Sequence, residues 1–176
     1  MDWTAFYATS AGASATLVGL LFIGVQFNID LFIGDPTNKW NAVARSTFEI
    51  FSLIFIFSLC FLFPTLSDDA RSTVLLIGVG IGVVRAVGSW WPVARSVRVL
   101  LRTDQFAQTF WLLIAPLIIY LLLALSVVEY LLGRVPALDQ TNIAFALVAM
   151  FAICLRNSWR LLFDVALERN KNRGKN

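Results

Sequence analysis

Apolar runs of about 20 residues recur along this chain, and that repetition excludes most of the folds otherwise open to it. An α-helix rises about 1.5 Å per residue, so about 20 residues cross a hydrocarbon core roughly 30 Å thick. The runs fall at about 8–29, 42–63, 70–91, 110–132 and 139–165. Inside lipid every backbone N–H and C=O must find a partner within the protein, which leaves helices as the natural solution for runs of this length. Composition agrees: 59% of the 176 residues are hydrophobic, well above the roughly 45–50% of soluble domains. Mean hydropathy is +0.76. The expectation is an all-α polytopic membrane bundle of five transmembrane helices in a single domain, 1–176, ending in a basic tail at 168–176.

Turn and breaker residues punctuate the runs. GDPTNK (34–39) follows the first, Pro64 stops the second, Ser67-Asp68-Asp69 caps the third, and Pro92 follows it. Pro116 falls inside the fourth run, where a kink is tolerable if neighbouring helices restore the hydrogen bonding. With five spans, one side carries Lys39, Arg45, Arg95, Arg98, Arg102, Arg156, Arg160, Arg169, Lys171, Arg173 and Lys175, and the other only Arg71 and Arg134. The positive-inside rule then predicts a cytoplasmic C-terminus and an external N-terminus, in a bacterial inner membrane. Trp40, Trp90, Trp91, Trp111 and Trp159 fall near the inner interface and Trp3 near the outer one. The N-terminus MDWTAFYATS lacks a basic n-region, which predicts a retained first span rather than a cleaved signal. PVARSVRVLLRTDQ (92–105) puts Arg95, Arg98 and Arg102 on one helical face. It reads either as an amphipathic cytoplasmic helix attracted to anionic lipid or as a cytoplasmic extension of the third span.

Two features inside the runs carry chemistry. Ala5, Gly12, Gly19 and Gln26 recur every seven residues, with Ala8 and Ala15 beside them, giving a small-residue seam of the kind that lets helix backbones approach closely. The seam serves packing within the chain, or it makes the first span a subunit-contacting or pore-lining helix of a homo-oligomer. Gly78 and Gly82 repeat the small-xxx-small device in the third span. The second feature is charge at matched depth. Glu49 and Arg85 each lie about two turns from the same end of oppositely directed spans, which makes them a natural ion pair. Gln26 and Asn28 reach a similar level from the first span, and Arg156, Arg160 and Asp164 step by four along the fifth. Together they predict a polar layer in the cytoplasmic half of the bundle. Three roles stay open for it: an ion-pair lock with snorkelling arginines, a conduction or gating element, or a site for an anion or anionic lipid. Glu129, beside Tyr130 and Arg134, reads as interfacial.

Other chemistries find little support. The chain has no histidine, the commonest general base and metal ligand. Cys60 and Cys154 stand alone within apolar runs and read as small hydrophobes, with no disulfide framework. No GxSxG, no HExxH and no paired acids with metal-ligand partners are present, and GVGIGVV has no phosphate-cradling context. The expectation is therefore no catalytic, cofactor or metal site, and no nucleic-acid partner. The leading functional expectation is a non-enzymatic homo-oligomeric membrane protein acting as an ion channel or pore. The alternative is an accessory or modulatory subunit of another membrane complex.

A resemblance bears on that alternative. Trp3, the Gly12 to Ala15 cluster, Leu17, Gly19, Leu20, Leu21, Phe22 and Asn28, followed by the proline of LFPTL, resemble the pattern of small bacterial membrane proteins labelled "modulator of FtsH protease". The likeness covers about the first third of the chain. It implies a regulatory partner of a membrane-anchored protease.

Overall fold

The computed structural model describes residues 3–27, 39–94, 111 and 114–173. They form five helices: α1 (Thr4–Phe27), α2 (Lys39–Leu62), α3 (Asp68–Ala94), α4 (Ala115–Leu131) and α5 (Gln140–Arg173). Four of them are long and apolar enough to cross a membrane, through Thr4–Phe27, Val43–Leu62, Asp68–Gly88 and Gln140–Leu161. The apolar helix α4 is shorter, 17 residues, or roughly 25 Å. Pro116 is the second residue of α4, and Ile114 ahead of it already has helical dihedrals, φ −71° and ψ −44°. Phe110, Leu112, Leu113, the 92–105 segment beyond Ala94 and the GDPTNK loop up to Asn38 lie outside the described residues.

Helix ends follow local chemistry. Ser67 Oγ accepts the Ala70 N–H at 3.3 Å, with Asp68 and Asp69 in the first turn of α3, where the positive end of the helix dipole favours acids. Asp139 Oδ1 accepts the N–H groups of Thr141 at 2.9 Å and Asn142 at 3.4 Å, capping α5. α4 closes in a Schellman motif. Gly133 takes φ +66°, its N–H reaches Tyr130 O at 2.9 Å, and the Arg134 N–H reaches Glu129 O at 3.0 Å.

Helices α2, α3, α4 and α5 close a ring, each touching its neighbours, and α1 lies along α2. One end of the bundle gathers Tyr7, Phe61, Asp69, Tyr130 and Gln140. The other end gathers Glu49 and Arg85, and Leu21 with Leu161. We call these the Asp69 end and the Arg85 end. The ring's axis is filled by Phe51, Ile54 and Phe57 of α2, Leu75 of α3, Leu123 and Val127 of α4, and Ile143, Leu147 and Met150 of α5. Leu20, Phe22 and Ile23, with Ile77, Val84, Leu121, Phe145 and Leu155, stand exposed around the outside. An apolar core wrapped in an apolar surface is what a membrane protein presents to lipid, and a soluble monomer rarely exposes so much.

The two small-residue devices have different fates. A Cβ on Gly78 would come within 2.5 Å of the Phe57 ring, and one on Gly82 within 2.6 Å of the Tyr120 ring. Both glycines therefore let α3 seat against its neighbours. The α1 seam does the reverse. Ala5, Ala8, Gly12, Ala15, Gly19 and Gln26 are all exposed, and a Cβ on Gly12 or Gly19 would meet nothing within 4 Å. The packing face of α1 is instead Tyr7, Ser10, Ala11, Ser14 and Leu21. Among the described residues, nothing in the chain packs on the seam. The helix turns inward the stripe that holds its large anchors: Tyr7 stacks on Phe61 at 4.8 Å, and Leu21 meets Leu161.

Candidate functional site

Helical rise sets the depth of the charged side chains. Glu49 stands roughly 20 Å along α2 from Leu62, and Arg85 roughly 25 Å along α3 from Asp68. Both distances are shorter than the roughly 30 Å thickness of a hydrocarbon core. The Arg85 Nη1 donates to Glu49 Oε1, tying α2 to α3. The pair is not sealed inside the ring, because the Arg85 side chain is 52% exposed and that of Glu49 29%. Its neighbours on the same outer flank include Phe48 and Ile56 of α2 and Val84 of α3, all exposed. An isolated charge at the bilayer centre costs about 2.5–3.5 kcal/mol on insertion scales, and pairing offsets part of that.

Among the described residues, neither Gln26 nor Arg156 bonds to this pair. Gln26 lies on the exposed seam of α1. Asn28 and the Asp164 side chain lie outside the described residues. Arg156 belongs to a second group. Its Cζ sits 4.7 Å from the centroid of the Trp111 ring, a cation–π distance. Its Nη1 is buried without a hydrogen-bond partner, and Arg160 follows one turn on. Glu49 is bonded to Arg85, and Arg156 Nη1 makes no bond to it.

A third polar group, at the Asp69 end, was not anticipated. Arg71 Nη1 donates to Asp68 Oδ1 at 2.9 Å, its Nη2 to Phe63 O at 3.0 Å, and its Cζ lies 5.5 Å from the Phe61 ring centroid. It thereby ties the residue just past the end of α2 to the start of α3. Tyr130 donates to Asp69 Oδ1 at 2.9 Å and Tyr7 to Gln140 O at 3.4 Å, so this end is laced together across four helices. The i,i+3 spacing of Asp68 and Arg71 was the available signal. Asn157, 2% exposed, also escaped notice, because Arg156 and Arg160 dominate its surroundings in the sequence.

Among the described residues, no group of three or more Cys, Asp or Glu is arranged to hold a metal ion. The chain matches no family model, no curated protein and no solved structure.

Proposed function

We propose that this is a non-enzymatic membrane protein that works as a homo-oligomer, with α1 as the assembly helix and an ion path, if it conducts, between subunits. The seam of Gly12, Ala15 and Gly19, turned away from its own bundle, carries this reading. Lipid supplies no hydrophobic drive between helices, so small residues gain their value from backbone contact with another helix, and the ring offers none on that face. The half-exposed Glu49–Arg85 pair favours the same conclusion, since a second subunit on that flank would remove charge from lipid. The filled ring axis directs any conduction away from the centre of a single chain. In the membrane we orient the Arg85 end toward the cytoplasm and the Asp69 end outward, α4 completing a fifth span with the residues ahead of it. The charge distribution supports that orientation, and a bacterial inner membrane is the setting proposed for it.

The second reading is an accessory subunit of another membrane complex, such as a membrane-anchored protease. The same outward seam favours it, because an unlike helix could occupy the face equally well. Reconstitution separates the two. A homo-oligomer of the purified chain that passes ions in liposomes supports the first. A monomer that passes none, yet is retained by a partner complex from native membranes, supports the second.

A further inference from the structure

Arg85 presents hydrogen-bond donors that lipid cannot answer. A guanidinium carries several N–H groups and no acceptor. Its Nη1 donates to Glu49, yet the side chain is 52% exposed, so donor edge remains on the outer flank of α2 and α3. Hydrocarbon tails offer no oxygen there. Large apolar side chains stand exposed around it: Phe48 and Ile56 of α2, and Ile81 and Val84 of α3. Whatever covers this flank must supply acceptors, add no second cation, and leave room for those side chains.

The outward stripe of α1 has these properties. Helix Thr4–Phe27 contains no charged residue. Gly12, Ala15 and Gly19 let a neighbouring helix approach its backbone. Thr9 and Thr16 are exposed with them, and each hydroxyl donates to the carbonyl four residues back, at 2.8 Å to Ala5 and 2.9 Å to Gly12. Their oxygens keep lone pairs with which to accept. The stripe also lies at the right depth. Tyr7 stacks on Phe61, and Leu21 clusters with Val43 and Ala44. Glu49 falls between Ala44 and Phe61 along α2, so its level on α1 falls between Tyr7 and Leu21. Copies inserted in one direction differ by rotation about the membrane normal, which changes azimuth and keeps depth.

We infer that the α1 stripe of one copy packs on the Glu49–Arg85 flank of the next, with Arg85 donating to the Thr16 hydroxyl and to carbonyls beside it. This contact rests on the homo-oligomer reading above and adds to it the two surfaces that meet. Stripe against stripe would leave both charges of every copy facing lipid, whereas the head-to-tail contact covers charges and stripe together. Contacts of that kind close into cyclic assemblies.

The test uses the full chain in membranes as two differently tagged populations, Ala15→Cys and Val84→Cys, both at exposed positions. A short bis-maleimide is added, and the linked peptides are identified by mass spectrometry. The expected product joins the two substituted positions on different copies. An oligomer without that link, including one joined only through two Ala15→Cys positions, would overturn the head-to-tail contact and leave the homo-oligomer standing. A chain that yields no links and runs as a monomer in mild detergent would remove both. Glu49→Gln with Arg85→Leu takes away both charges at once and so retains the fold of the single chain. Energy transfer between labelled copies should then report association weakened about tenfold or more. Unchanged association would overturn the contact as well.

Discussion

Arg85 and Glu49 show how far single residues can be read along the membrane normal. Their helical positions give matched depth, and the two side chains do pair. Depth carries no information about azimuth, however, so nothing in the spacing revealed that the pair faces outward. Arg85→Leu should strand the Glu49 carboxylate in an apolar setting and lower stability by about 2 kcal/mol. The double change with Glu49→Gln should recover most of that loss. Unfolding in mixed micelles, analysed as a double-mutant cycle, checks this; a coupling below about 0.5 kcal/mol would mean that the bond contributes nothing to stability. The glycines divide in the same way. Gly82→Ala must displace the Tyr120 ring, only 3% exposed, and should cost about 1–3 kcal/mol. Gly19→Ala meets open space and should leave the fold of the single chain unharmed, or slightly steadier, because alanine favours the helix. Thermal unfolding of the two variants side by side measures the contrast.

At the scale of elements, most of the helices were legible because a bilayer-length apolar run admits few alternatives, and because the caps announce themselves. Ser67 and Asp139 sit where the sequence places the starts of α3 and α5, and their side chains bond the expected N–H groups. Asp139→Ala should cost about 1 kcal/mol and fray the first turn of α5, which amide hydrogen exchange at Thr141 and Asn142 would register as faster exchange. What the pattern did not disclose is the rotation of α1. That helix carries two stripes of small residues, Ser10–Ala11–Ser14 and Gly12–Ala15–Gly19, and either could have met α2. Tyr7 and Leu21 decide between them, because their large side chains gain the most from burial. Whether they reach partners depends on Phe61 and Leu161, distant in sequence. Residues at one depth need not share a flank: Glu49 bonds Arg85, whereas Arg156 packs on Trp111 and Gln26 is exposed on α1.

Across the whole molecule, the ring of α2 to α5 is complete in itself, with its axis closed by side chains, while α1 adds a helix whose outward stripe resembles an interior surface. Any conductance should therefore depend on association: liposome flux should rise more steeply than linearly with protein density, and Glu49→Gln should alter it without abolishing assembly. Flux strictly proportional to density would instead place a path within one chain. The account rests on the α1 seam bringing copies of the chain together, and the most direct test is mass in a mild detergent or nanodisc, by light scattering or subunit counting. The wild type should run as a defined multiple of the 19.6 kDa chain, and Gly12→Leu with Gly19→Leu should run as a monomer of unchanged helix content. A monomeric wild type, or an oligomer that the two leucines leave intact, would contradict it.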